Sequence, residues 1–493
     1  MRQNNINGKT HDSGDRLKPQ NDRPIPLLTS IKLKPMRRVN FQQPCIRAII
    51  FISIVLMTAI GCAKLSAAHN SPIAPTYARE IAPILNNNCL ECHRTGGIGP
   101  FPLQSYEDAR SHADRIVAAT ANGFMPPWRA KRGYGEFRNE KFLSQHQIAT
   151  LKTWVEAGTP AGNLADLPPR PNLPLSRWRL GEPDRQFPMP EAFEVPATGE
   201  DIYRYFVLEG ELLEDRTVRA IDFQPGAAAV VHHANFFIDY EGRGRKLDAE
   251  DPRPGFSTAE TGGFMDYDGA SAIGGWAPGV DPYQLPPDVG MYLEKGGDLV
   301  VEIHYHLNGQ KASDRSILGL YFAQQPVQKY IEGLIIGTQD LDIPAGESQY
   351  WRHFSMDVPA TMDLVDISPH MHYIGAEMHA IATLPDGSKK SLICIPDWDL
   401  GWQNTYVYRN LVRLPAGSRI DAWFRYDNSA QNSSNPNKPP LDVPWGWKST
   451  EEMSEIYLGV VPKNWRDSPK ILEASRLSWW QSATPDLIPQ SCR

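Results

Sequence analysis

Leu299-Val-Val-Glu-Ile-His-Tyr-His-Leu307 alternates in character residue by residue. In an extended strand successive side chains point to opposite faces. Val301, Ile303, Tyr305 and Leu307 therefore share an apolar face, while Glu302, His304 and His306 share a polar one, as ligands facing a cleft would. Asp201-Ile-Tyr-Arg-Tyr-Phe-Val-Leu208 and Arg419-Ile-Asp-Ala-Trp-Phe-Arg-Tyr426 read as further strands, with Pro385-Asp-Gly-Ser388 and Pro415-Ala-Gly-Ser418 as tight turns. No long helical pattern occurs before the C-terminal tail, and 43 prolines argue against long helices. The expected fold class is mainly β, with one sandwich over residues 199–330, a second over 331–470 and a tail over 471–493. No sequence repeat relates the two halves.

The remaining histidines give the β region its chemistry. In Ser368-Pro-His-Met-His-Tyr373, His370 and His372 would share a strand face with Asp366 and Ser368 and could reach one metal ion. The motif alone is weak, since two hydrogen-bonded histidines on a polar sheet face give the same string. Val230-Val-His-His-Ala-Asn-Phe-Phe237 adds His232 and His233. Adjacent strand residues face opposite ways, so both can hold one ion only at a bulge or a strand end. Met453 opens a further segment, Glu452-Met-Ser-Glu-Ile-Tyr-Leu458, and imidazole with thioether suits copper. His306 could compete as a ligand; His353 and His379 read as ordinary polar-face histidines.

Upstream, Cys89-Leu-Glu-Cys-His93 is the attachment signature of c-type haem. Two thiols at that spacing add to the two vinyl groups, and His93 becomes the proximal iron ligand. A zinc site would need a second Cys/His pair, and none lies nearby. Tyr77-Ala-Arg-Glu-Ile-Ala-Pro-Ile-Leu85 and Leu151-Lys-Thr-Trp-Val-Glu-Ala-Gly158 read as flanking helices. The proline-stiffened Gly123-Phe-Met-Pro-Pro-Trp128 offers Met125 as sixth ligand, with a core methionine as the alternative. His112 and His146 compete for that role but sit in helical polar patterns expected to be solvated. Residues 70–163 resemble a small all-α class I cytochrome c, whose His/Met pair suits electron transfer. Eight prolines between Pro168 and Pro196 mark residues 164–198 as a linker or packed strap.

The uncharged run of sixteen residues from Ala48 to Ala63, preceded by Arg37, Arg38 and Arg47, reads as a secretory signal within a leader spanning residues 1–62. Ala59-Ile-Gly-Cys62 resembles a bacterial lipoprotein box with Cys62 lipidated. Cleavage near Ser66-Ala-Ala68 and a retained anchor are the alternatives, and Met36 is a second candidate start. The expected location is the periplasm, or the outer membrane or cell surface as a lipoprotein, with membrane contact only through Cys62. Residues 1–61 carry +7 against −7 for the whole chain, which leaves −14 for the remainder. So acidic a body is a poor nucleic-acid binder. Cys394 and Cys492 could form one disulfide, too few for a disulfide scaffold.

With these motifs in place, residues 200–465 resemble the copper type II, ascorbate-dependent monooxygenases, the family of peptidylglycine α-hydroxylating and dopamine β-monooxygenases. The resemblance rests on His232-His233, on Ile303-His-Tyr305 after Trp276-Ala-Pro-Gly279, on His370-Met-His372 and on Ser449-Thr-Glu-Glu-Met-Ser-Glu-Ile-Tyr457, in that order. It implies two eight-stranded jelly rolls, each carrying one copper ion, facing each other across a solvent-filled cleft. His232, His233 and His304 would hold an electron-storing copper. His370, His372 and Met453 would hold the catalytic copper that uses dioxygen to hydroxylate a substrate C–H bond. An external donor, ascorbate-like or another cytochrome, would supply electrons through the haem. The haem-first arrangement looks like bacterial proteins of unassigned substrate. Glu455 and Tyr457 stand where the peptide-hydroxylating enzyme uses an asparagine and a tyrosine for its substrate carboxylate, and Ser368 replaces an arginine. These departures argue against a peptide-carboxylate substrate. A non-catalytic exported electron carrier or copper-binding module on the same fold is the alternative function, and a haem protein with purely structural histidines is a third.

Overall fold

The structure, a computed structural model, describes residues 74–95, 99–138, 140–171, 178–210, 212–258 and 270–478. The leader with Met36 and Cys62, and the tail beyond 478 with Cys492, lie outside the described residues. Among those described, no helix is long and apolar enough to cross a membrane.

The protein is mainly β. In the first half the long strands are β1 (Arg185–Pro188), β2 (Ile202–Val207), β3 (Arg216–Gln224), β4 (Val231–Asp239), β5 (Ala270–Trp276), β6 (Val289–Leu293), β7 (Asp298–Tyr305) and β8 (Ile317–Phe322). They form one sheet ordered β2-β7-β4-β5 and another, extended by short strands, ordered β1-β8-β3-β6. Val301, Ile303 and Tyr305 point from β7 into the core between the sheets, where they meet Phe223 and Leu318 from the opposite sheet. The alternation in residues 299–307 thus places the apolar face inward and leaves Glu302 and His304 on the outer face.

The second half repeats the plan. Its strands are β9 (Glu332–Thr338), β10 (Tyr350–Asp357), β11 (Met362–His370), β12 (Gly375–Thr383), β13 (Lys389–Ile395), β14 (Tyr406–Leu414), β15 (Arg419–Tyr426) and β16 (Ser454–Pro462). Their sheets are ordered β9-β16-β11-β14 and β10-β15-β12-β13, the same permutation as in the first half. Leu364, Ile367, Phe354 and Phe424 fill the core. Strand order thus repeats although the sequence does not, because a sheet needs only alternation and turns to be specified. The halves meet through an apolar cluster of Leu285, Val289, Val365 and Val461. Beside it the Tyr283 hydroxyl donates to Asp366 at 2.6 Å.

Three boundaries differ from the sequence reading. Residues 185–195, assigned to the linker on proline content, supply edge strand β1 and a short strand, Phe193–Val195, with Phe187, Met189 and Phe193 in the first core. Proline is tolerated at sheet edges, where a missing N–H breaks no ladder. The helix Ser468–Ser478 begins before the expected tail and buries Ile471 in the second core.

The third difference concerns the N-terminal helices. A π-helical turn, Tyr77–Ile81, runs into α1 (Ala82–Asn88), followed by α2 (Tyr106–Ser111), α3 (Ala113–Ala121) and α4 (Gln145–Glu156). Capping boxes start α2 at Ser105 and α4 at Ser144, satisfying otherwise orphaned N–H groups. Ile81, Leu85, Leu151 and Trp154 form their core. Residues 128–138, however, leave this unit. Ala130 and Phe137 join the second β core, Phe137 bridges to Tyr408, and the Lys131 N–H donates to the Cys394 carbonyl at 2.7 Å. The helical unit is therefore stitched to the second half by a strap, not simply tethered ahead of it.

Candidate metal centres

His233 and His304 face each other across the β4–β7 ladder, and the register slips between Val231 and His233. His232 is the extra residue of that irregularity. This resolves the difficulty of adjacent histidines, because a bulge turns both side chains toward one side. The Nδ1 atoms of His232 and His233 lie 3.2 Å apart, and those of His233 and His304 lie 3.4 Å apart. All three residues offer ligand atoms within 4.8 Å of one another. Asp201 accepts a hydrogen bond from His304 Nε2–H at 2.9 Å, which leaves the Nδ1 lone pair facing inward. A carboxylate behind a ligating imidazole is the usual second layer of a metal site. The same carboxylate takes His306 Nδ1–H at 3.1 Å. His306 is exposed and turned to Asp201, so it supports the centre rather than joining it.

His370, at the end of β11, and His372 just beyond it bring their Nε2 atoms to 3.2 Å. Each Nδ1–H is engaged behind: His370 donates to Gln403 Oε1 at 2.5 Å and His372 to the Glu451 carbonyl at 3.0 Å. Both Nε2 atoms therefore carry lone pairs and face each other, an arrangement that calls for a cation between them. Met453 is buried one residue before β16, whose Glu455 pairs with His370. Glu452 ties the two segments together. Its carboxylate accepts from the backbone N–H of His372 at 2.7 Å, Ile374 at 2.8 Å and Met453 at 3.3 Å.

Burial holds His232, His233, His370 and His372 neutral. It lowers His232 and His370 to about 4 and His372 to about 3, and takes His233 well below its usual value. After burial, His233 is depressed chiefly by His304 and His232, and also by His370 and His372. The two centres thus lie within electrostatic reach of each other. Tyr203 stacks on His304 at 4.1 Å, and burial raises the hydroxyls of both Tyr203 and Tyr373. His304 is only 1 % exposed. His372 is buried as well, whereas His232, His233 and His370 are half-buried and keep partial access to solvent.

In the helical unit Cys89 and Cys92 are free thiols. Burial pushes Cys89 up to about 12 and also raises Cys92, so both are protonated thiols. The His93 Nδ1–H donates to the Phe101 carbonyl at 3.0 Å, leaving Nε2 for a metal. Gly99 packs so close that a Cβ there would stand 2.8 Å from His93 Nδ1. Two free thiols beside an oriented imidazole fit covalent haem. Met125 is half-buried on its loop, its N–H donating to the Ala119 carbonyl at 3.0 Å. His112 is not solvated as expected, since its ring stacks on Phe101 at 3.9 Å; His146 is exposed.

Two expectations on other residues change, and the expectation that Cys394 enters a disulfide is met as far as the described residues reach. His353 is buried and bonded to Asp421 at 3.0 Å. His379 is buried, and neither ring nitrogen has a hydrogen-bond partner. Cys394 is disulfide-bonded, while its expected partner Cys492 lies outside the described residues. Sequence reading missed Asp201, Gln403 and Glu452. A carboxylate two residues before a strand's first aromatic carries no signal until the fold brings it to His304.

No family model and no curated protein matches the chain. Among solved structures, it is similar to PNGF-II at 12% identity and a TM-score of 0.25, over 56% of this chain and 65% of that one. It is also similar to a two-domain protein of unknown function from Bacteroides fragilis at 8% identity and a TM-score of 0.12, over 53% and 85%. Likenesses so distant carry no argument about function.

Proposed function

We propose that the chain is an exported haem- and copper-containing monooxygenase of the copper type II kind, acting on a small-molecule substrate with dioxygen and an external electron donor. The observation that carries this reading is the pair of inward-facing imidazole sets, with the outer nitrogen of His304 engaged by Asp201 in the first and those of His370 and His372 engaged by Gln403 and the Glu451 carbonyl in the second. His232, His233 and His304 would hold one ion, and His370, His372 and Met453 the other. Imidazole also suits zinc; the thioether of Met453 and the neighbouring haem motif favour copper. Bound copper would supply one-electron chemistry and oxygen activation. Asp201, Gln403 and the Glu451 carbonyl orient the rings, and Glu452 keeps the methionine segment against His372. The repeated strand permutation supports two jelly rolls. Cys89, Cys92 and His93 would attach haem, with Met125 as its sixth ligand.

The test is the metal content of the full exported chain, with haem measured as its pyridine haemochrome and copper by mass spectrometry. Two coppers per haem, falling to one in His370→Ala, is the expected result. Haem without copper after reconstitution would overturn the reading. A second reading, a non-catalytic electron carrier, draws support from the burial of His304 and His372, which leaves little open space at those two ligands. Oxygen uptake by the reduced, metal-loaded protein in the presence of candidate substrates separates the two.

A further inference from the structure

We infer that electrons leave the helical unit toward the His370/His372 centre, not the His232/His233/His304 centre, by way of Phe124, Trp402 and Gln403. The inference rests on the proposed haem and copper occupancy. The transfer is one electron from ferrous haem to a cupric ion, giving ferric haem and cuprous ion, with no bond made or broken.

The helical unit and the strap that follows it are held by ion pairs to both halves. Glu91, inside the Cys89–His93 motif, pairs with Arg179 and with Lys141 at 3.4 Å. Arg179 and Lys141 also reach Asp281 of the first half, at 2.6 and 3.0 Å. Arg129, beyond Trp128, pairs with Asp399 at 2.5 Å and Asp397 at 3.4 Å in the second half. Most of these side chains are partly shielded, where ion pairs hold geometry better than on an open surface.

This clamp sets the Met125 loop against one point of the second half. The Phe124 ring meets Trp402 edge-on, with centroids 6.0 Å apart. Gly279, at φ +83°, lies against Trp402 and Pro127; a Cβ there would stand 3.3 Å from Trp402 and 3.6 Å from Pro127. Gln403 follows Trp402 directly, and its Oε1 accepts from His370 Nδ1–H. From Phe124 to His370 the route is one ring contact, one residue step and one hydrogen bond. The rival route runs from Gly279 back to Trp276, across the β5–β4 pair to Ala234, and then to His233. It needs more steps and offers no aromatic contact with the Met125 loop. Gln403 is on this account a positioning residue that also completes the link.

The experiment uses the full holoprotein with haem reduced and excess reductant removed. Haem oxidation is followed by its absorbance after cupric ion is loaded. We expect fast oxidation in the parent, and several-fold slower oxidation in Trp402→Leu and His370→Ala. Trp402→Phe, which keeps a ring, should restore the rate. Phe124 is 45 % exposed, so Phe124→Leu tests the same link without disturbing a core, and it should also slow the reaction. Haem potential and copper content, measured on each Trp402 and Phe124 variant, should match the parent. Parent-like rates in both Trp402→Leu and Phe124→Leu, with haem and copper intact, would overturn the inference and leave the proposed function standing. So would a parent-like rate in His370→Ala. A parent that takes up no haem or no copper would overturn the proposed function, and the inference with it.

Discussion

At the scale of residues, the centres depend on side chains that never touch an ion. Asp201 receives His304 Nε2–H and thereby decides which nitrogen faces inward. Asp201→Asn keeps an oxygen acceptor but removes the charge, and we expect the first centre to lose about 10–100-fold in metal affinity. Competition with a chromogenic chelator measures it, and an unchanged affinity would refute the role. Glu452 works on backbone instead. Glu452→Ala leaves buried N–H groups of His372, Ile374 and Met453 unpaired. Each costs about 1–3 kcal/mol, so the urea midpoint should fall well below that of Glu452→Gln, which retains an acceptor. The ligand candidates were legible in the sequence because imidazoles at short spacing are rare and strand geometry says where they point. Their supporting groups were not. Asp201, Gln403 and Glu452 act over separations of 103, 33 and 80 residues, which only the folded chain closes.

At the scale of elements, alternation identified the strands bearing His304 and Tyr426, yet it could not reveal a bulge. An extra residue in β4 leaves the local pattern of Val231-His-His-Ala234 unchanged and appears only as a register slip against β7. Proline content misled in the other direction, since β1 is an edge strand whose apolar residues reach the core despite Pro188 and Pro190. The strap through residues 128–138 was hidden for a similar reason: its aromatic residues could serve either neighbour. Phe137 is buried among Trp128, Tyr406 and Tyr408 of the second half. Phe137→Ala should therefore destabilise the second half by about 3–5 kcal/mol, not merely loosen the helices. Urea unfolding followed by tryptophan fluorescence, with limited proteolysis between residues 121 and 145, checks both parts. A loss confined to the helical unit would show that the strap belongs to it after all.

At the scale of the whole molecule, the chemistry of the centres is set by how far the surrounding β halves desolvate them. An imidazole facing an open, water-filled cleft would titrate near 6.5. Here burial holds His232 and His370 at about 4 and His372 at about 3. In the folded apoprotein protons therefore compete poorly for the ligand nitrogens. Metal affinity should stay nearly level as pH falls from 8 to about 5, then collapse as the depressed values are approached. Stability has the opposite exposure to acid. The unfolded chain takes up protons on these histidines below about 6.5 while the folded chain does not, so their contribution is intact above that pH and is lost progressively down to about 4. Buried carboxylates such as Asp366, raised to about 6, act with the other sign, because folding keeps their proton. The comparison that isolates the histidines is between the parent and His370→Ala/His372→Ala. The double variant should lose less stability between pH 6.5 and 4 than the parent does, by thermal melting of metal-free protein. Identical slopes, or ring titrations near 6.5 by NMR, would mean that the surrounding β structure does not desolvate these rings.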